Sequence, residues 1–374
     1  MNINKYRNSY CGTITEEDID KNLTISGWIE NIRDHGGIIF LDLRDETGTI
    51  QLVSNDDSMF NGLTKESTVT VKGTIRKRKE EDYNPNLKTG TIEFLVSEIN
   101  LLSKSLNILP FEVKTSHEVS EELRLKYRYL DLRNKRVRNN IQKRAEILKF
   151  IRNKMDTLNF TEVQTPIITA SSPEGARDFV IPSRKNPGKF YALPQAPQIY
   201  KELLMVGGVD KYYQIAPCFR DEDSRADRTL EFYQLDFEMA FVEEDDVCKV
   251  GEDIFYDIFT TFSTKEVSPK PFRRIPYREA ILKYGTDKPD LRNPLEIIDI
   301  TNLFENTTFK PFQKSTIRGI KVDEIGTNSN SWFNEIVDYA SSIGMPGIGY
   351  VTLMEDGSLK GPIDKFLTEE ERKN

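Results

Sequence analysis

The stretch Cys218-Phe219-Arg220-Asp221-Glu222-Asp223-Ser224-Arg225-Ala226-Asp227-Arg228, continuing as TLEFYQLDFEM to Met239, decides how the rest of the chain is read. Two strand-like segments flank a loop crowded with acids and arginines. A strand sends every second side chain to the same face, so it can present Arg220 and Glu222 together. There a guanidinium can grip a phosphate oxygen bidentately while a carboxylate accepts from an amine or hydroxyl. Gln234, Asp236 and Glu238 alternate likewise, opposite Leu235 and Phe237. On charge pattern alone, a surface hairpin laced by salt bridges is the commoner product of such a stretch.

Around this hairpin, residues 160–290 mix strand-like segments (KYYQIAP, EFYQLDFEMAFV) with helical ones (APQIYKELLMVGG, EDDVCKVGEDIFYDIFTTF), which suggests an α+β domain around an antiparallel sheet. Before it, Ile141, Ala145, Leu148, Ile151, Met155 and Leu158 recur at steps of 4, 3, 3, 4 and 3 and predict an amphipathic helix whose stripe packs into a core. Residues 23–99 read as five short strands rich in Val, Ile, Thr and Phe, separated by Gly, Asp or Asn turns. Five strands in so short a span fit a small closed barrel, of which the OB-fold is the commonest kind. The long polar loop 77–90 lies between the last two strands, where OB-folds often contact ligands. After Pro294 a separate α/β module begins. The expected division is 1–105 barrel, 106–125 linker, 126–293 α+β domain and 294–374 α/β module.

Composition narrows the function. Hydrophobic content of 37% and charged content of 30% describe a soluble globular chain, with neither a membrane-spanning run nor a secretory leader. Cys11, Cys218 and Cys248 are scattered, which argues against a disulfide framework or zinc cluster and suits a cytoplasmic protein. With His35 and His117 as the two histidines, histidine-based triads and most metal sites are poorly supported. A net charge of −8 disfavours a DNA-coating protein. Residues 123–154, however, hold twelve Lys or Arg against Asp131 and Glu146. That basic stretch suits a folded RNA, and equally a solvated helix face. Neither a GxxxxGK[ST] loop nor a GxGxxG turn occurs, so any nucleotide must be held by a different scaffold.

FRDEDSRADRTLEFYQLDFEM resembles motif 2 of class II aminoacyl-tRNA synthetases, in the form typical of bacterial aspartyl enzymes. FTEVQTP (160–166) is similar to the close of motif 1, the dimer element; SSPEGARDFVIPSR (171–184) resembles the loop that closes over aspartate. ALPQAPQIYKELLM (192–205) resembles the amino-acid-binding stretch, and YGTDKPDLR (284–292) the signature near the insertion domain. SGWIENIRDHGGIIFLDLRDETGTIQLV (26–53) resembles the anticodon-binding OB domain. The EGARDF loop, the QAPQ stretch and GTDKPDLR disfavour a lysine or asparagine sister enzyme.

The resemblance implies ATP-dependent attachment of L-aspartate to tRNA(Asp) through an aspartyl-adenylate, with Mg2+ and a homodimer formed through motif 1. Arg220 would be catalytic, holding the α-phosphate and the reacting carboxylate. Lys201 would pair with the substrate's side-chain carboxylate, and Glu174, Gln198, Gln234 and Asp236 would face its ammonium group. ATP would meet Arg220, Asp221, Glu222, Thr229 and Phe232, the last stacking on adenine. In the barrel, Phe40 would stack on the middle anticodon base, with Gln51 and Arg33 beside it; taken alone, Phe40 is more often barrel core. The Asp34-His35-Gly36-Gly37 turn resembles relatives that also charge tRNA(Asn), which would require an amidotransferase partner.

Three departures stand out. Ala196 replaces a common Ser, and Thr229 a frequent Gln. The chain also stops within what resembles the insertion domain, so a truncated product, an expressed fragment and a degenerate relative are all open. Metal ligands are expected to be absent from it, and the chain alone is expected to be a poor catalyst. A non-catalytic tRNA-binding fragment or paralog is the alternative.

Overall fold

The computed structural model describes residues 4–34, 39–54, 56–172, 174–225, 228–345 and 347–373. It comprises two compact units, Met1–Val242 and Glu243–Asn374.

The first unit opens with a closed barrel of β1 (Asn22–Asp34), β2 (Ile39–Arg44), β3 (Thr49–Val53), β4 (Thr68–Lys77) and β5 (Ile92–Ser103), in the order β1-β2-β3-β5-β4. The expected five strands are all present. Alternation works as predicted: Ile25, Ile29, Leu41, Leu43, Ile50, Leu52, Val71, Ile75 and Phe94 turn inward and are buried. Parallel pairing of β3 with β5 closes the cylinder, and the β4–β5 ladder shifts register between Lys72 and Gly73. Gly73 is required there, since a Cβ would lie 2.1 Å from the Leu95 carbonyl oxygen.

The connector after the barrel carries two short helices, α1 (Glu121–Lys126) and α2 (Arg128–Asp131). Asp131 is fully buried and accepts from Ser116 Oγ at 2.9 Å and Arg124 Nε at 3.1 Å. Burial alone would raise its pKa. Those bonds and the Arg124 and Arg128 charges outweigh it and hold the carboxyl below its ordinary range. Arg133 then reaches back to the barrel, 2.8 Å from Glu66 Oε2 and stacked 4.9 Å from the Trp28 ring.

The predicted helix is α3 (Lys135–Thr157), capped by Asn134, whose side chain accepts from Arg136 N. Its stripe departs from the core expectation. Ile151 and Met155 are buried, but Ile141 is 52% exposed. That sheet has the order β10-β9-β6, from β6 (Thr161–Glu162), β9 (Lys211–Phe219) and β10 (Glu231–Met239). β9 and β10 pair antiparallel over their whole length, whereas β6 adds a short parallel edge. Between β6 and β9 lie the hairpin β7 (Val180–Pro182) and β8 (Phe190–Ala192), then α4 (Gln198–Val206).

The second unit, taken by itself, holds α5 (Glu244–Phe262), α6 (Tyr277–Tyr284), the pair β11 (Ile297–Asp299) and β12 (Arg318–Ile320), α7 (Asn330–Ser342), the pair β13 (Thr352–Leu353) and β14 (Leu359–Lys360), and α8 (Glu369–Lys373). Within it, Phe309 contacts Phe312 and Phe366, and the buried Phe333 stacks on Tyr350.

Candidate functional site

The β9–β10 register decides which side chains meet. Cys218 pairs with Phe232, Ala216 with Gln234, Gln214 with Asp236 and Tyr212 with Glu238, all on one face. α4 packs on that face, and Lys201 in its first turn reaches down onto the strands. Its Nζ lies 3.0 Å from Asp236 Oδ1 and 3.1 Å from Glu238 Oε2, with side-chain exposures of only 12% for Lys201 and 11% for Asp236. Burial works against the ammonium charge, yet the two carboxylates win and raise its pKa. An ammonium has three donors, so this geometry uses two and leaves one for a further acceptor. Asp236 Oδ2 is buried with no hydrogen-bond partner among the described residues. The Tyr212 hydroxyl donates to Gln214 Oε1 at 3.4 Å and also lies close to Asp236; burial, and then the Asp236 charge, raise its pKa.

Arg220 follows β9 on the same face. Its backbone N–H donates to the Leu230 carbonyl, its guanidinium stacks 5.0 Å from the Phe232 ring, and its Nε is buried and unpartnered. A buried, unsatisfied guanidinium nitrogen is costly unless an anion completes it. Glu174 lies within electrostatic reach: burial raises its pKa, Arg220 and Lys201 pull it down, Asp178 and Asp236 push it up, and the net shift is upward. The cleft beside it is lined by Glu174, Asp178, Gln195, Ala196 and Tyr200.

The structure thus gathers Arg220, Phe232, Glu174, Lys201, Gln234 and Asp236. Gln234 accepts from Cys218 Sγ at 3.3 Å. Gln198 begins α4, but its Nε2 is spent on Glu202 Oε1 at 2.7 Å along its own helix. Asp221, Glu222 and Thr229 stand exposed at the rim, and the Asp221 N–H donates to the Arg177 carbonyl at 2.9 Å. Glu238 and Gln195 were absent from the predicted set. Alternation along β10 was the available signal for Glu238, whereas Gln195 shares only its neighbours' stretch. Among the described residues, no three His, Cys, Asp or Glu side chains converge so as to hold a metal ion.

The barrel has its own polar face. Arg33 pairs with Phe40, Phe40 with Val53 and Asp42 with Gln51, which sets them opposite the buried Leu41, Leu43 and Leu52. Phe40 is therefore half-buried on the outer face, outside the barrel core. Arg33 donates to Asp42 Oδ1 at 2.7 Å and Gln51 Oε1 at 3.4 Å. Arg78, unpredicted, is buried nearby with an unpartnered Nη2, and burial foremost lowers its pKa. His35 lies outside the described residues.

A closed barrel of OB strand order is followed by an antiparallel pair that carries Arg220 and the Lys201 clamp. A model described as OB-fold nucleic acid binding domain matches residues 23–102, and one for class II tRNA synthetases (D, K and N) matches residues 120–358. The chain belongs to the class II tRNA synthetases of the D, K and N group. It is 49% identical over 373 residues to the aspartate–tRNA ligase of Streptomyces coelicolor, covering 98% of this chain and 63% of that protein. It is 48% identical over 383 residues to the aspartate–tRNA(Asp/Asn) ligase of Ehrlichia ruminantium (strain Gardel), covering 100% and 65%. The chain therefore spans just under two thirds of these relatives' length. The asparaginyl-tRNA synthetase of Pyrococcus horikoshii, solved with asparaginyl-adenylate, superposes with a TM-score of 0.63 at 25% identity, covering 73% of this chain and 65% of that one.

Proposed function

We propose that the protein is an ATP-dependent aspartate–tRNA ligase. The observation that carries this reading is the Lys201 clamp: a buried ammonium held by Asp236 and Glu238 with one donor left over. A substrate side-chain carboxylate completes it. Asparagine's neutral amide offers that third donor an acceptor without charge, so aspartate is preferred while the ammonium stays paired with Asp236 and Glu238. Asp236 Oδ2 and Glu174 supply acceptors for the substrate ammonium, and Gln234 lies beside them on the same face. Arg220 offsets charge on the α-phosphate as a carboxylate oxygen of aspartate attacks phosphorus and pyrophosphate leaves. The work is positioning and electrostatics, so no histidine base is needed. Phe232, with one ring face on Arg220, offers the other to adenine, and Asp221, Glu222 and Thr229 rim the nucleotide. The 3′-terminal hydroxyl of the tRNA then attacks the acyl carbon of the adenylate and AMP departs. Mg2+ belongs to the expected cofactor set, although no cluster of three His, Cys, Asp or Glu side chains among the described residues could hold it.

The outer barrel face supports anticodon reading, with Phe40 as stacking platform and Arg33 and Gln51 as edge readers. The exposed half of the α3 stripe supports a homodimer. Similar identity to the Asp and the Asp/Asn ligases leaves the tRNA set to the His35 turn. If that turn admits tRNA(Asn), an amidotransferase must act on the product, and His35→Leu shifts charging toward tRNA(Asp). No helix among the described residues is long and apolar enough to cross a membrane, in keeping with a cytoplasmic site of action.

Aspartate-driven ATP–pyrophosphate exchange tests the reading. Exchange should require aspartate and collapse in Lys201→Ala. Equal exchange with asparagine, or indifference to that substitution, would overturn it; stem-loop binding without exchange would favour a tRNA-binding paralog.

A further inference from the structure

We propose that Gln195 is a positioning residue that latches the 174–178 segment to the floor of the amino-acid site. The inference rests on the aspartate-site reading above.

Gln195 sits in the turn leading into α4 and is 3% exposed. Its carboxamide bonds one backbone residue in both directions: Oε1 accepts from Ala176 N at 3.1 Å, and Nε2 donates to Ala176 O at 2.9 Å. The same Nε2 also donates to Asp178 Oδ1, whose other oxygen accepts from Ser171 Oγ. A carboxamide supplies a neutral donor and acceptor side by side on one carbon, and Gln has the reach to present both to a single backbone residue from a neighbouring turn. A second anchor comes from the other side, where the Asp221 N–H holds the Arg177 carbonyl at 2.9 Å. The segment is thereby tied to the turn before Lys201 and to the loop after Arg220. Glu174 lies two residues before the Ala176 bonds and within electrostatic reach of both Lys201 and Arg220. Holding Ala176 therefore holds Glu174 over the site. Gln195 itself need touch no substrate.

A merely structural Gln would affect the whole fold, whereas a latch acts on one segment. Arg177 is exposed and gives a tryptic cut inside the latched segment; Lys185, also exposed, gives a control cut beyond it. We expect Gln195→Ala, and the same-sized Gln195→Glu, to speed cleavage after Arg177 by about ten-fold or more, the effect of losing at least two net hydrogen bonds. Cleavage after Lys185 should stay near the wild-type rate. Aspartate should slow the Arg177 cut in the wild type, with about ten-fold more needed in the variants. Unchanged Arg177 cleavage in both variants would overturn the latch. So would equal acceleration at both cuts, which would reduce Gln195 to a general stabiliser. A wild type that aspartate does not protect would instead sink the aspartate-site reading, while the aspartate-free rates would still judge the latch.

Discussion

Lys201 Nζ lies 3.0 Å from Asp236 Oδ1, tying the first turn of α4 to the middle of β10. The pair is nearly dry, so each partner is needed to justify burying the other. Lys201→Met should cost about 3 kcal/mol in urea unfolding, because it strands two carboxylates in one cleft. Adding Asp236→Asn should recover part of that loss, the signature of coupled sites in a double-mutant cycle. Strict additivity would mean that the clamp contributes nothing.

The raised pKa of Glu174 gives a pH dependence of defined sign. A carboxyl raised in the folded state favours the protonated form, so its contribution to stability is present at low pH and lost as pH rises through the raised value. Binding an ammonium runs the other way, since it needs the carboxylate. Aspartate affinity should thus begin to fall, on acidification, above the ordinary glutamate value of 4.5. Titration of Kd against pH should find that limb in the wild type and not in Glu174→Gln. Its persistence in the variant would assign it to another group.

Thiol reactivity should be confined to one cysteine. Burial, with Asp236 and Glu174 adding to it against Arg220, pushes the Cys218 thiol up to about 11. Burial and Asp45 hold Cys11 well above its usual range. Both therefore lack thiolate near neutral pH, whereas Cys248 is part-exposed. Iodoacetamide at pH 7.5 should label Cys248 in the folded chain and reach the others only in denaturant, as read by peptide mass spectrometry. Rapid native labelling of Cys218 would contradict its burial beside Gln234.

Phe40 stands on the outer barrel face between Arg33 and Val53. Phe40→Ala should weaken binding of an anticodon stem-loop by roughly 1–3 kcal/mol, the worth of one base stack. Barrel stability should change little, since Leu41 and Leu43 carry the core there. The opposite pattern, unfolding without loss of binding, would return Phe40 to a packing role. A stem-loop with a scrambled central base is the control.

Read alone, the sequence determined the five barrel strands, α3, α4, α5 and the β9–β10 pair, because period-2 and helical apolar patterns survive intact in those segments. Short-range periodicity also set Gln234, Asp236 and Glu238 on one face. The tertiary structure alone decided that Lys201 is shared by Asp236 and Glu238, which depends on how a helix lies across a sheet and not on any spacing along the chain. It also decided that Phe40 stands between Arg33 and Val53, since alternation along β2 sets Phe40 opposite Leu41 and Leu43 but cannot name its cross-strand neighbours. The burial of α3 is another case: the stripe is uniform in sequence, but its neighbours are not, so Met155 is covered while Ile141 is left open. Gln195 was legible only as a residue in a resembling stretch. Its two bonds to Ala176 cross nineteen positions of sequence, and no local propensity records a contact made through space.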